Sequence, residues 1–294
     1  MPDFKGTGVA LVTPFDKDLN IDFNALERLV SHCIEGGVNY LVVMGTTAEN
    51  PTLNPAEKDA VLKAVIEANA NRVPVVYGIG GNNTQALLEE LRNRDLSGVS
   101  AILSVSPYYN KPTQEGIYQH FKLLSEHSPL PIIIYNVPGR TGSNISANTT
   151  IRLARDFANI IAVKEASGDM DQVMKIINEA PKDFLVISGD DNLTLPMIAL
   201  GGAGVISVSG QAFPVVFTEM VRKALAGDIS GARPLHYRLY EITNMLFAEG
   251  NPGGVKAALD LQDLMEPYMR QPLWPISNGL RKDLENEMIK QGLL

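Results

Sequence analysis

The stretch Ile160–Gly168 reads IIAVKEASG, and the interpretation of the whole chain depends on it. Its opening residues are apolar and mostly β-branched, which is typical of a buried strand. Lys164 ends this predicted strand, and Glu165 and a small polar turn follow it. Burial there disfavours the charged form of the lysine, so its amine becomes a nucleophile near neutral pH. The alternative is a lysine whose long stem reaches a surface carboxylate.

Strands and helices alternate on both sides of this stretch, from residue 9 to residue 207. The predicted strands cover residues 8–13, 40–44, 73–78, 101–105, 131–135, 160–164, 184–188 and 204–208. Short, evenly spaced strands that alternate with helices predict a closed parallel (β/α)8 TIM barrel. The alternative is an open doubly wound sheet, but no Gly-x-Gly-x-x-Gly follows the first strand.

Helices are predicted wherever apolar residues recur at helical spacing. Within the barrel they cover residues 23–34, 54–69, 84–96, 113–125, 146–157, 170–180 and 193–200, and after it residues 213–226, 232–248, 253–264 and 278–291. We therefore predict a barrel over residues 1–212. A closing helix and a C-terminal α-helical extension packed on the barrel take up residues 213–294.

Composition excludes several classes of function. The formal net charge is -8 and no Lys/Arg-rich run occurs, which argues against nucleic-acid and anionic-membrane partners. No apolar run is long enough for a membrane helix, and the N-terminus lacks the pattern of a signal peptide. The single cysteine, Cys33, cannot form an intramolecular disulfide. We therefore expect a cytoplasmic protein.

Catalytic side chains of a barrel gather where the strands end. The residues at or just after the predicted strand ends include no histidine; the candidates for chemistry among them are Thr46, Thr47, Tyr108, Tyr109, Tyr135, Arg140, Lys164, Asp190 and Asp191. No Cys/His spacing of a metal site occurs, and the two adjacent aspartates have no evident partner ligand, so no metal is expected. The same two carboxylates would repel a phosphate, which argues against a phosphorylated substrate.

The chemistry that remains is imine formation. A neutral Lys164 amine would attack a ketone and form a Schiff base, which serves as an electron sink for carbon–carbon bond formation or cleavage. Tyr135 on the neighbouring strand is the acid/base candidate, or else a core tyrosine. Thr46 and Thr47 could bind a carboxylate, or else form a helix cap or turn. Arg140 could hold a second carboxylate as a fork, or else form a surface ion pair.

Five motifs, taken in order and with their spacing, resemble the dihydrodipicolinate synthase family of pyruvate-dependent, class I aldolase-like lyases. They are GTTAE (45–49), PYYNKP (107–112), YNVPGRTG (135–142), KEASG (164–168) and SGDD (188–191). The likeness covers essentially the whole chain and includes NPGGVKAAL (251–259). It implies condensation of pyruvate with L-aspartate 4-semialdehyde to 4-hydroxy-tetrahydrodipicolinate, in diaminopimelate and lysine biosynthesis.

The resemblance also implies which residues are catalytic. Lys164 would form the Schiff base with pyruvate. Tyr135, Thr46 and Tyr109 would form a proton relay, and in the family the tyrosine at the position of Tyr109 comes from a neighbouring subunit. The family is typically a homotetramer built as a dimer of dimers. It needs no metal or organic cofactor.

Four further residues are implied to bind the substrates. Thr47 would bind the carboxylate of pyruvate, and Arg140 that of aspartate semialdehyde. Gly189 and Ile206 would line the pocket with their backbone carbonyls.

The chain departs from the family at the site where lysine inhibits the feedback-regulated enzymes. Tyr108 and Asn82 match that site, but Pro55 and Lys58 stand where histidines are usual, and Ala86 where an acid is usual. A cation at Lys58 would repel the ammonium group of lysine, so weak or absent inhibition is expected.

Two other functions stay open at this point. A related pyruvate lyase would act on N-acetylneuraminate or a 2-keto-3-deoxy sugar acid, which needs hydroxyl partners rather than a carboxylate clamp at Arg140. A non-catalytic barrel would sense a small acid, against which Lys164 and the tyrosines argue.

Overall fold

Eight parallel strands pair in chain order and the last returns to the first, which closes a barrel. The computed structural model describes residues 3–294. The strands are Gly6–Ala10 (β1), Tyr40–Val43 (β2), Val75–Gly78 (β3), Ala101–Val105 (β4), Ile132–Asn136 (β5), Ile160–Glu165 (β6), Leu185–Ser188 (β7) and Gly204–Ser207 (β8). The predicted (β/α)8 barrel is confirmed.

Helices connect the strands and continue beyond the barrel. They are Phe23–Glu35 (α1), Pro55–Asn69 (α2), Thr84–Asn93 (α3), Gln114–His127 (α4), Pro138–Thr141 (α5), Ala147–Asp156 (α6), Met170–Glu179 (α7), Thr194–Ala199 (α8), Pro214–Leu225 (α9), Ile229–Ala248 (α10), Gly253–Leu261 (α11) and Asn278–Lys290 (α12). The short helix α5 was not predicted. It begins with a proline at its first position and ends at Gly142 in the left-handed conformation, which is why one turn forms and stops.

The first strand was predicted too late in the chain, at residues 8–13 instead of Gly6–Ala10. The amide of Leu11 still donates to the carbonyl of Val42 on β2 at 3.0 Å. The pairing ends there because the amide of Val12 donates to the side chain of Gln211 instead, at 2.9 Å. At the other end, the amide of Gly6 donates to the carbonyl of Ala203 at 3.0 Å and extends the pairing with β8. Contacts made by distant residues therefore set both ends of β1.

Strands β5 and β6 each continue one residue further than predicted, to Asn136 and Glu165. Glu165 was expected after the strand rather than in it. Its carboxylate is buried and accepts hydrogen bonds from Asn136 Nδ2 at 3.1 Å and from the amide of Ser167 at 2.8 Å. The side chain of Gln172 donates to it at 3.0 Å. These bonds fix the end of β6 directly after Lys164.

Alternate residues of each strand serve two separate hydrophobic layers, as the pleat requires. In β5, Ile133 and Tyr135 belong to the interior of the barrel, whereas Ile132 and Ile134 pack against the surrounding helices. Tyr135 is therefore the interior residue nearest the carboxyl end of its strand, which places its ring at the mouth of the barrel.

Helices α9 to α12 follow the barrel, and one buried ion pair joins them to the loop after β2. The ammonium nitrogen of Lys256 in α11 lies 2.5 Å from Oε1 of Glu49, and both side chains are fully buried. No helix within residues 3–294 has the length and apolarity needed to cross a bilayer. The boundary between residues 212 and 213 stays a prediction.

Candidate active site

A cavity of about 300 Å³ opens at the carboxyl ends of the strands. Residues from the loops after β2, β5, β6, β7 and β8 line it, together with residues at the end of α10 and just after it. Six of the eight predicted catalytic and substrate-binding residues meet here, namely Thr46, Thr47, Tyr135, Arg140, Lys164 and Gly189, and the adjacent Asp190 and Asp191 line the cavity as well. The barrel thus brings together side chains that are far apart in the chain.

Lys164 is held inside this cavity by its strand. It pairs with Tyr135 across β5 and β6, and its Nζ lies 4.3 Å from the centroid of the Tyr135 ring. Only 5% of the lysine is exposed. Burial lowers the pKa of Lys164 to about 8; the charge of Asp191 opposes this shift and that of Arg140 adds to it. At that pKa about a tenth of the amine is neutral at pH 7, compared with well under 1% for a solvated lysine.

Gly189 makes room for the lysine stem. A Cβ atom at position 189 would lie 3.0 Å from Cε of Lys164 and 2.7 Å from Cβ of Ala166. Those contacts are too close for a side chain, so glycine at the end of β7 keeps Lys164 extended into the cavity.

Tyr135 carries the hydroxyl that lies deepest among the candidate proton carriers. Burial raises the pKa of Tyr135 to about 12, against the opposing effects of the Arg140 charge and a hydrogen bond with the Thr46 side chain. The phenol is therefore protonated at neutral pH and can donate or relay a proton. Thr46 begins the one-turn 3₁₀ segment Thr46–Ala48.

Thr47 belongs to the same turn, and its side chain is 3% exposed. The side chain of Asn251 donates a hydrogen bond from Nδ2 to Oγ1 of Thr47 at 3.0 Å. Thr47 therefore forms part of a turn, as its alternative interpretation had it, and also lines the cavity around Lys164.

Arg140 lies in helix α5 and lines two adjoining cavities. One is the cavity around Lys164, and the other, of about 350 Å³, also contains Lys58 and Tyr108. Its position at the border gives the first cavity a cation that a carboxylate-bearing substrate can reach.

Two predicted site residues do not line the cavity around Lys164. Tyr109 is 88% exposed and has a left-handed backbone with φ of 71°, so its side chain stands out from the surface. Ile206 is 1% exposed in the interior of the barrel, where it pairs with Gly8 of β1. Their roles stay predictions.

The two adjacent aspartates differ in what they contact. Asp191 is buried, and one of its oxygens accepts bonds from the amides of Val208 and Ser209 at 3.1 and 2.7 Å. Burial raises its pKa against these bonds. Asp190 caps its own loop through the amide of Asn192 at 3.1 Å. Within residues 3–294 no group of three His, Cys, Asp or Glu side chains is placed to hold a metal ion.

The region after the barrel supplies cavity residues that were not singled out from the sequence. Thr243, Asn244, Phe247 and Asn251 all line the cavity. Asn251 opens the motif NPGGVKAAL, which entered only as part of the resemblance. A lysine within that otherwise apolar helical run, Lys256, was a signal that this segment makes a polar contact in the core.

Comparisons with known proteins agree with this geometry. The model of the Dihydrodipicolinate synthetase family matches residues 3–291. The 4-hydroxy-tetrahydrodipicolinate synthase of Flavobacterium psychrophilum is 55% identical over 285 residues, which cover 97% of each chain. The protein of that name from Phocaeicola vulgatus is 52% identical over 271 residues, 92% of this chain and 91% of its own. A crystal structure of dihydrodipicolinate synthase from Thermotoga maritima matches with a TM-score of 0.96 at 40% identity and covers 99% of each chain. The chain belongs to the dihydrodipicolinate synthetase family.

Proposed function

We propose that this protein condenses pyruvate with L-aspartate 4-semialdehyde to 4-hydroxy-tetrahydrodipicolinate, in diaminopimelate and lysine biosynthesis. The observation that carries the proposal is the buried Lys164 amine, 4.3 Å from the centroid of the Tyr135 ring. The names of the relatives from Flavobacterium psychrophilum and Phocaeicola vulgatus support the choice of reaction.

The first step is imine formation on Lys164. The neutral amine attacks the ketone carbon of pyruvate, and the resulting carbinolamine loses water to give a protonated imine. The departing water takes one proton from the amine nitrogen and needs a second proton from another donor, so a proton carrier is needed beside the amine. Tyr135 occupies that position, and Thr46 beside it offers the next hydroxyl of a relay.

Carbon–carbon bond formation follows from the same imine. Loss of a proton from the pyruvate methyl group gives an enamine, since the iminium nitrogen accepts the electron pair. The enamine carbon attacks the aldehyde of the second substrate, and the aldehyde oxygen takes a proton to become a hydroxyl. The amino group of that substrate then attacks the imine carbon, closes the ring and releases the Lys164 amine. The imine itself is the electron sink, so the proposed reaction uses no metal or organic cofactor.

Each substrate brings a carboxylate, and the site offers two places for them. Thr47 is assigned to the pyruvate carboxylate because it lies in the cavity of Lys164. Arg140 at the border of that cavity is assigned to aspartate semialdehyde, with a guanidinium fork that matches a carboxylate. Backbone carbonyls of Gly189 and Ile206 are proposed to line the pocket.

We also propose a homotetramer arranged as a dimer of dimers, in which Tyr109 of one subunit completes the relay of its neighbour. The 88% exposure of Tyr109 supports this, because an aromatic side chain at the rim of a site is available to a second subunit. The only cysteine, Cys33, is fully buried, which fits a cytoplasmic location.

The test is a substrate comparison with the purified protein. Pyruvate and aspartate semialdehyde should be consumed together, with formation of the cyclic product. N-acetylneuraminate and 2-keto-3-deoxy sugar acids, supplied at the same concentration, should not be cleaved at a comparable rate. Cleavage of a sugar acid without condensation would contradict the proposal.

A further inference from the structure

The loop that carries Thr47 is held by residues from the region after the barrel at two points. Asn251 donates a hydrogen bond to the Thr47 hydroxyl, and Lys256 forms the buried ion pair with Glu49. Both partners lie near the start of α11, outside the barrel strands. The two contacts fall in the middle of the one-turn segment Thr46–Ala48, on which the pyruvate carboxylate is proposed to bind, and directly after it.

This loop needs outside support because its backbone is strained at both ends. Met44 before it and Glu49 at its end have φ of 58° and 57°, the left-handed conformation that residues other than glycine rarely adopt. The carboxylate of Glu49 is fixed further by the amide of Arg270, which donates to its Oε2 at 3.0 Å. The ammonium group of Lys256 also donates to the carbonyl of Tyr268 at 2.7 Å. The C-terminal region therefore fixes the turn through a buried polar frame.

The direction of the Asn251 bond determines what Thr47 can do. A hydroxyl has one proton to donate and two lone pairs to accept with. The Asn251 amide occupies one lone pair of Thr47 with an N–H, so the hydroxyl proton is left for another acceptor. An anionic oxygen in the cavity is such an acceptor, because hydrogen bonds to charged groups are the stronger ones.

The side chain of Asn251 lies between Thr47 and the cavity. Its side chain lines the cavity and the residue is 8% exposed. Within residues 3–294, the bond to Thr47 is the one hydrogen bond of its side chain, and its Oδ1 is buried without a partner. A buried amide oxygen without a partner costs free energy, so its presence in a native fold calls for an explanation.

We propose that Asn251 is a positioning residue that orients the Thr47 hydroxyl as a donor to the carboxylate of pyruvate. This inference rests on the proposed function and adds to it a residue from outside the barrel. It assigns the C-terminal region a part in substrate binding through Thr47. Asn251 acts through Thr47 and does not enter the relay of Lys164 and Tyr135.

The test measures pyruvate dependence in Asn251→Ala and Asn251→Asp, with Asn148→Ala, an exposed asparagine in α6, as the matched control. In Asn251→Ala the pyruvate concentration that half-saturates borohydride-stable labelling should rise about tenfold. The half-saturating aspartate semialdehyde concentration should change by less than about twofold. The fold-change in kcat should be smaller than the fold-change in the pyruvate KM. Asn251→Asp should bind pyruvate more weakly still, because a carboxylate takes the Thr47 proton and repels the substrate.

A double-mutant cycle separates an effect on the Thr47 hydroxyl from a general disruption of the fold. In a Thr47→Val background, the change Asn251→Ala should have no further effect on pyruvate binding. The inference is overturned if Asn251→Ala binds pyruvate as the wild type does, if both substrates weaken equally, or if Asn251→Asp retains wild-type binding. Each of these results would leave the proposed function intact. Absence of any adduct in the wild type would instead overturn the proposed function and this inference with it.

Discussion

Lys164 and Tyr135 lie directly opposite each other on neighbouring strands, and the lysine nitrogen is 4.3 Å from the centroid of the tyrosine ring. The same burial that lowers the pKa of Lys164 to about 8 raises that of Tyr135 to about 12. One environment therefore produces a nucleophilic amine beside a protonated phenol, which is the pair that imine chemistry requires.

Replacement of Tyr135 with phenylalanine should separate proton transfer from binding. The ring against Lys164 is kept, but the hydroxyl that moves protons is lost. We expect kcat to fall by about 10² to 10⁴, while the pyruvate KM changes far less. Steady-state kinetics give both values, and Tyr118→Phe, which changes a tyrosine in helix α4, is the control. A Tyr135→Phe enzyme with near wild-type kcat would show that the phenol carries no proton.

The rate of imine formation should depend on pH through Lys164. Since only the neutral amine attacks, kcat/KM for pyruvate should fall about tenfold for each pH unit below the lysine pKa, which is about 8. Asp191 raises that pKa by its charge, so Asp191→Asn should lower it and move the acid limb of the profile to lower pH. An asparagine can still accept the bonds from Val208 and Ser209. An acid limb that stays in place or moves upward in Asp191→Asn would contradict the assigned electrostatics.

Arg140→Ala should weaken the second substrate selectively. Loss of a charged hydrogen bond to a carboxylate costs about 1.5–3 kcal/mol, so the aspartate semialdehyde KM should rise roughly ten- to a hundredfold. The Arg140 charge also lowers the pKa of Lys164, so the two proteins are compared over a range of alkaline pH, at the plateau of each pH profile. The pyruvate KM should be nearly unchanged, and an equal rise for both substrates would refute the assignment.

Lysine should inhibit this protein weakly or not at all. Lys58 lines the cavity next to Tyr108, so an incoming lysine would meet a cation there, and Ala86 provides no carboxylate to offset it. Activity in millimolar lysine should equal that without it, with matched sodium chloride as the ionic control. Strong inhibition at that concentration would show that another group in the cavity receives the ammonium.

Local pattern was sufficient to predict the barrel, because each strand and helix is specified by its own apolar spacing. It failed where a distant residue sets a boundary, as at Val12, whose amide pairs with a side chain 199 residues away. Local pattern also did not predict Asn251 as a cavity residue, because its contact is with Thr47, 204 residues earlier in the chain. Lys164 and Tyr135 could be singled out because they lie at the ends of two adjacent predicted strands. Tyr109 could not be placed near them, since its side chain points away from the cavity of its own chain.

The central claim is that Lys164 forms an imine with pyruvate. The direct measurement is incubation with pyruvate, reduction with borohydride and mass spectrometry of the peptides, with pyruvate omitted in one control and Lys164→Arg in another. We expect a reduced pyruvate adduct on Lys164 in the wild type alone, in the presence of pyruvate. No adduct, or an adduct on another lysine such as Lys256, would contradict the mechanism.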